Sequence, residues 1–241
     1  MTNFTALLRG ELQRLIKYGI IGASLVVAMV WLTALHFTDI ADLTAMFSLV
    51  LFIDAVSMSI LLIGVTIFFE KGEGSLKSLL ISPVTHLEHI LAKTSGNITS
   101  NVLTLVVLYS WAWYFREIQL GFAALLGAVI LVALFHSLVG FLLTFYSKTF
   151  TDLLINMMKY VFVLMIPVLF DQIGLIQNEL ISTLLYAIPT KASMTVLTAS
   201  AGGLQTWEIW FSVVYLLVGS GILLRVVLNR FEEFAVRESG V

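Results

Sequence analysis

No cysteine occurs among the 241 residues. That absence excludes a disulfide frame, a thiolate metal site and a thiol nucleophile, and it leaves the compartment unreadable from redox chemistry. Charge is nearly as scarce. Lys, Arg, Asp and Glu make up 12% of the chain, roughly half the share of a soluble domain, while hydrophobic residues make up 59%. A soluble globular domain is excluded, and the composition is that of an all-α integral membrane protein. Each crossing takes about 20 mostly apolar residues, so the length holds six or seven. The net charge of −2 says little; the placement of the charges says more.

The first 17 residues, MTNFTALLRGELQRLIK, are too charged to cross. They set Phe4, Leu8, Leu12, Leu15 and Ile16 against Arg9, Glu11, Gln13, Arg14 and Lys17, the pattern of an interfacial amphipathic helix. A cleaved signal peptide is the competing reading, but the apolar run to Phe37 is longer than a signal core and lacks a small-residue cleavage site. Apolar windows predict six spans: Tyr18 to Phe37, Thr44 to Phe69, Asn97 to Phe115, Gly121 to Tyr146, Asn156 to Ile176 and Trp207 to Leu228. Leu180 to Leu204 is interrupted by Pro189, Lys191 and Gly202-Gly203, and reads as a short helix plus a re-entrant or external loop.

The positive-inside rule orients this set. With the N-terminus inside, Arg9, Arg14, Lys17, Lys71, Lys77, Lys93, Lys148, Lys159, Arg225, Arg230 and Arg237 lie on the inner side. Only Arg116 and Lys191 lie outside, so eleven of the 13 basic residues share one side. A seventh span would put the last three arginines outside. Both termini are expected in the cytoplasm, with the protein multi-pass in the cell membrane.

This topology makes EKGEGSLKSLLISP, Glu70 to Pro83, the first cytoplasmic loop. Leu76, Leu79 and Leu80 recur at helical spacing with Lys77 and Ser78 opposite, which predicts a two-turn amphipathic helix. Gly72 and Gly74 free its start and Pro83 ends it. Thr85-His86-Leu87-Glu88 has the spacing of a capping box opening the helix that runs into the third span. An apolar stripe so placed either lies on the membrane surface or docks into another protein.

Glu70, Glu73-Gly74-Ser75-Leu76, Leu79-Leu80, Ser82-Pro83, Glu88 and Lys93 resemble the signature between the second and third spans of type-2 ATP-binding cassette exporter permeases. Six spans, the N-terminal helix and Ala187-Ile188-Pro189 before the last span extend the likeness to the layout of nearly the whole chain. Two departures stand out: Ser75 replaces the usual Thr, and Lys77 stands where an acid is common. The resemblance implies that Glu70, Glu73, Gly74, Ser75, Leu76, Leu79, Leu80, Pro83, Glu88 and Lys93 form a coupling element seated in a cleft of a separate cytoplasmic ATPase. It implies two ATPase copies and a second permease copy or paralogue. The chain has no G-x-x-x-x-G-K-[ST] loop to cradle phosphates, so it is expected to be non-catalytic and to bind no cofactor, with ATP and Mg held by the partner. The domain plan is a single transmembrane domain: elbow helix 1–17, spans 1 and 2 in 18–69, coupling loop 70–93, spans 3 to 5 in 94–176, an external region 177–206, span 6 in 207–228 and a cytoplasmic tail 229–241.

Polar groups inside the spans are candidates for the transport path, because lipid leaves them unsatisfied. Asp54, in the outer half of the second span with Ser57 on the same helical face, either attracts a cationic substrate or is satisfied by a neighbouring helix. Thr94, Asn97, Asn101 and Thr104 form a stripe on the third span that fits interhelical hydrogen-bond glue better than substrate contact. His136 near the middle of the fourth span reads as a hydrogen-bonded packing residue before a proton relay. Pro167 and Asp171 break the outer end of the fifth, either as a locally satisfied kink or as an external gate.

Two other classes remain in view. For an intramembrane enzyme, His86-Leu87-Glu88-His89 is not H-E-x-x-H, and no G-x-S-x-G elbow or paired span aspartates occur. A secondary transporter or channel tends to carry several buried charges or inverted repeats, whereas only Asp54 falls plainly within lipid. No nucleic-acid partner is indicated. The reading reached is an exporter permease for hydrophobic or amphipathic small molecules such as drugs, with no metal site.

Overall fold

Backbone in hydrocarbon must satisfy its own polar groups, which leaves helices or closed barrels. The computed structural model of the protein describes residues 2–37, 43–75, 82–118 and 120–239, and these contain helices and no strand. In chain order they are α1 (Thr2–Lys17), α2 (Ile20–Phe37), α3 (Leu43–Gly72), α4 (His86–Arg116), α5 (Phe122–Phe145), α6 (Phe150–Tyr160), α7 (Ile166–Gln172), α8 (Glu179–Leu185), α9 (Pro189–Thr198) and α10 (Thr206–Ser239). The π-helical Val161–Met165 joins α6 to α7, and the 3₁₀ turn Ala199–Ala201 ends α9. Six spans are long and apolar enough to cross a bilayer: α2, α3, α4, α5, the compound helix Phe150–Gln172, and α10. The chain is an all-α integral membrane protein, as the composition requires.

Several boundaries shift from the sequence-based expectation, each for a local reason. α4 starts at His86 because Thr85 caps it, and it runs unbroken through Asn97 to Arg116. α10 does not stop at Leu228 but continues to Ser239, because Phe231, Phe234 and Ala235 recur on one face and are buried against Phe141 and Phe145 of α5. Glu179 to Ala201 forms two helices bent by 95°, broken just before Pro189, which opens α9 without an amide to spare.

The core is centred on α3. Of its apolar window 67% is buried, against 17% for Phe150–Gln172, so the first is enclosed by neighbours and the second is peripheral. Within the core α3 and α5 meet closely at Gly140. A Cβ there would lie 3.0 Å from Ile60 O and 3.1 Å from Ile60 Cα. A small residue lets two spans approach to backbone contact, the main source of cohesion where lipid is as apolar as the side chains.

The far end of the fold is held by polar contacts. The π-helical segment and Pro167 disturb the helical ladder, and beside them the Leu164 carbonyl accepts from the Thr190 hydroxyl of α9. Asp171 is paired with Lys191, and the Tyr215 hydroxyl of α10 donates to Ala187 O at 2.9 Å.

Gly140→Leu forces α3 from α5 and should cost about 1–3 kcal/mol of stability. Gly127→Leu on the same helix, where no atom lies within 4 Å of an added Cβ, should leave stability unchanged. Thermal unfolding of both variants in detergent or nanodiscs checks the contrast.

Candidate coupling site

The end of the bundle that carries α1 holds a closed set of charges. Glu70, in the last turn of α3, is buried, and Lys93, two turns into α4, is only 2% exposed. Lys93 Nζ lies 3.1 Å from Glu70 Oε1 and 3.1 Å from Glu11 Oε1. Arg14, one turn after Glu11 on α1, donates to Glu70 Oε1 and stands 3.8 Å from Glu11 Oε2. Two acids and two bases therefore cancel across three helices. Charge removed from water is tolerable only when paired in this way. His89 Nε2 sits 3.5 Å from Glu70 Oε2, and neither atom has a hydrogen-bond partner among the described residues.

α1 reaches this position because Gly96 leaves room for it. A Cβ on Gly96 would be 3.0 Å from Glu11 Cγ and 3.3 Å from Leu15 Cδ1. The reading of Glu11 as part of a solvated polar face is corrected here: it is 3% exposed, turned inward by Lys93. Arg14 keeps its charge more firmly than usual even though burial opposes it, because Glu70 and Glu11 stand beside its guanidinium.

Further contacts tie down both stems of the loop between α3 and α4. On the first stem the Tyr18 hydroxyl donates to Glu73, Lys71 Nζ to Lys148 O at 3.2 Å and Ser75 Oγ to Glu70 O at 3.2 Å. Gly74 takes φ 69°, a left-handed turn that suits glycine. On the second stem, Thr85 and Glu88 form the expected capping box: Thr85 N donates to Glu88 Oε2 at 2.9 Å, and Glu88 N to Thr85 Oγ1 at 3.2 Å. Pro83 is exposed. His86 and His89 rest on Phe231 of α10, ring centres 5.1 and 5.5 Å apart. Leu76, Leu79 and Leu80 lie outside the described residues. Glu70 and Lys93 thus come together, though facing inward, while Glu73, Gly74, Ser75 and Pro83 remain at the loop surface or half-buried.

The candidate path residues scatter. Asn97 Nδ2 donates to Ser137 Oγ at 2.7 Å and Ser59 O at 3.3 Å, and Asn101 Nδ2 to Ser59 Oγ at 3.2 Å. These bonds join α3, α4 and α5, whereas the buried Thr94 hydroxyl of the same stripe has no hydrogen-bond partner among the described residues. His136 is fully buried, its Nδ1 2.9 Å from Val132 O and its Nε2 3.1 Å from the Tyr160 hydroxyl, a packing histidine. Asp54 and Ser57 do not act as one face: Asp54 accepts from Trp31 Nε1 of α2 at 3.1 Å, whereas Ser57 points to Met165 Sδ at 3.9 Å.

A model of the fluoroquinolones export permease protein family matches residues 2–239. The chain belongs to that family. It is similar over its full length to two curated relatives, the fluoroquinolones export permease proteins of two Mycobacterium tuberculosis strains. Each is 25% identical over 243 residues, covering 100% of both chains.

In this permease the partners missed by sequence reasoning are Glu11, Arg14, Tyr18 and His89. One signal was available, the Glu11–Arg14 pair one turn apart on a helix otherwise read as surface. Lys93→Met should strand Glu11 and Glu70 with Arg14 alone and cost about 3–5 kcal/mol. Adding Glu11→Gln restores charge balance and should recover part of that loss. Thermal unfolding of the single and double variants reads both effects.

Proposed function

We propose that this chain is the membrane-spanning, non-catalytic subunit of an ATP-driven exporter, and that the 70–93 loop is where a separate ATPase grips it. The observation that carries the reading is the anchoring of that loop. Glu70 on one stem and Lys93 on the other are bound into one buried charge set with α1. A push on the loop would reach three helices at once, because none can shift without exposing an unpaired buried charge. The intervening Leu76, Leu79 and Leu80 supply the apolar ridge for a cleft in the partner.

The positive-inside count supports placing this end, with both termini, in the cytoplasm, where ATP and Mg reside on the ATPase. Two ATPase copies and a second permease copy or paralogue complete the assembly, as the type-2 resemblance implies. The relatives' names support fluoroquinolone-type drugs as cargo. So does an open apolar groove of about 730 Å³ between α5 and α10, lined by Phe135, Trp210, Phe211, Val214, Tyr215 and Ile222. An amphipathic molecule dissolved in the bilayer would meet this groove directly, and its volume suits a drug-sized ligand.

Replacing Leu76 and Leu79 together with Asp should abolish co-purification with the ATPase while membrane insertion stays intact. Normal complex formation by that double variant removes the docking role. In the reconstituted complex, a fluoroquinolone should stimulate ATP hydrolysis; transport that persists when the ATPase is inactivated would favour a secondary carrier.

A further inference from the structure

Neither the coupling site nor the cargo groove uses the polar seam between the first three spans. Asp54 is 4% exposed, near the middle of α3. Trp31 Nε1 donates to its Oδ1, and among the described residues no other hydrogen bond and no ion pair reaches the carboxyl. Asp54, Ser24, Ser100, Asn101 and Thr104 border one space that is nowhere wide enough for a water molecule. The Ser24 hydroxyl bonds to Ile20 O at 3.1 Å and shares a 2.9 Å bond with Ser100. Asn101 spends its Nδ2 on Ser59 and Asn97, and among the described residues its buried Oδ1 has no hydrogen-bond partner. Asp54, with its lone carboxyl, and Asn101, with an unanswered amide oxygen, therefore border the same space.

Among the described residues no cation stands by to balance them. α2 has no ionisable residue from Ile20 to Leu35. On α4, Lys93 is held by Glu11 and Glu70, and the Tyr109 hydroxyl donates to Leu120 O. On α5, His136 is bonded to Val132 O and Tyr160. On α6, Asp152 caps its own helix with Thr149, and Lys159 reaches Asn156. On α9, Lys191 pairs with Asp171. A lone carboxylate enclosed in hydrocarbon is so costly that such a group is neutralised.

We propose that Asp54 is a proton-binding site: its carboxyl carries a proton and donates it to Asn101 Oδ1, sealing α2, α3 and α4 together. One proton answers both acceptors and fits where water does not. If α2 parts from α4, water reaches the carboxyl and the proton can leave, so closure of the seam and occupancy of the site are linked.

Infrared spectroscopy of the full chain in lipid nanodiscs tests this. At neutral pH a protonated-carboxyl band should be present, shift when isotope-labelled aspartate is incorporated, be unaffected by sodium, and vanish in Asp54→Asn. The Asn amide can still accept from Trp31 and donate to Asn101, so Asp54→Asn should keep the wild-type melting midpoint, whereas Asp54→Leu should lower it. Absence of the band in the wild-type protein overturns the proposal without recourse to any variant. A band removed by sodium also overturns it and assigns the seam to an alkali-metal ion. Asp54→Asn melting as low as Asp54→Leu overturns it too, because the seam then needs the charge itself.

Discussion

Three buried charges, Glu11, Glu70 and Lys93, together with the half-buried Arg14, govern how one end of this molecule can move. Each ion is expensive to take out of water, and the cost is offset only while all four keep their geometry. Lys93 stands between two carboxylates at 3.1 Å, so a shift of α1, α3 or α4 alone separates a pair in surroundings where no water replaces the lost contact. The set is therefore a poor source of net stability and a strong constraint on relative position. α1, although amphipathic, belongs mechanically to the bundle at this point, and both stems of the 70–93 loop are bound to it.

The opposite end is built differently. Phe150–Gln172 buries only 17% of its apolar window, and it contains a π-helical segment followed by Pro167. Beside the packing of Met165 and Val168 in the core, its hydrogen bonds and ion pairs there include Thr190 to the Leu164 carbonyl, Lys191 to Asp171 and the long Ser57 contact to Met165 Sδ. Loosely packed elements with substitutable hydrogen bonds are where a fold yields first. A disturbance delivered to the rigid end has a compliant element to act on at the other, and α9, bonded to both the kink and its ion pair, is the part that follows it.

The sequence disclosed the number of spans because bilayer thickness imposes a length on apolar runs, whatever their neighbours. The Thr85–Glu88 box was equally legible, since a cap is a local rule with fixed spacing. Glu70 and Lys93 were visible as a pair of signature positions, but their spacing could not say that they face each other. Contact between residues of different helices depends on rotation and tilt, and a one-dimensional pattern gives only which residues share a face. Glu11 illustrates this: on an isolated amphipathic helix it belongs with water, and only the approach of α1 over Gly96 turns it toward Lys93. Phe231, Phe234 and Ala235 carried a readable three- and four-residue period, yet the arginines around them favoured a solvated tail.

The chain buries carboxylates in two ways, and the difference separates a fixed joint from an adjustable one. Glu11 and Glu70 sit at one end of the bundle among cations, so their charges are cancelled by partners that cannot leave. Asp54 lies within a span and meets an indole, hydroxyls and an amide, none of which carries charge. Neutrality at the first site is built from covalently tethered groups and holds the three helices in register. At the second it depends on something able to come and go, and the seam there is closed by hydrogen bonds such as Ser24 to Ser100 at 2.9 Å, each worth only about 0.6–2 kcal/mol between spans. Helices anchored at one end and joined by weak bonds midway along have a defined place to bend, and α2 against α4, on either side of Asp54, is that place.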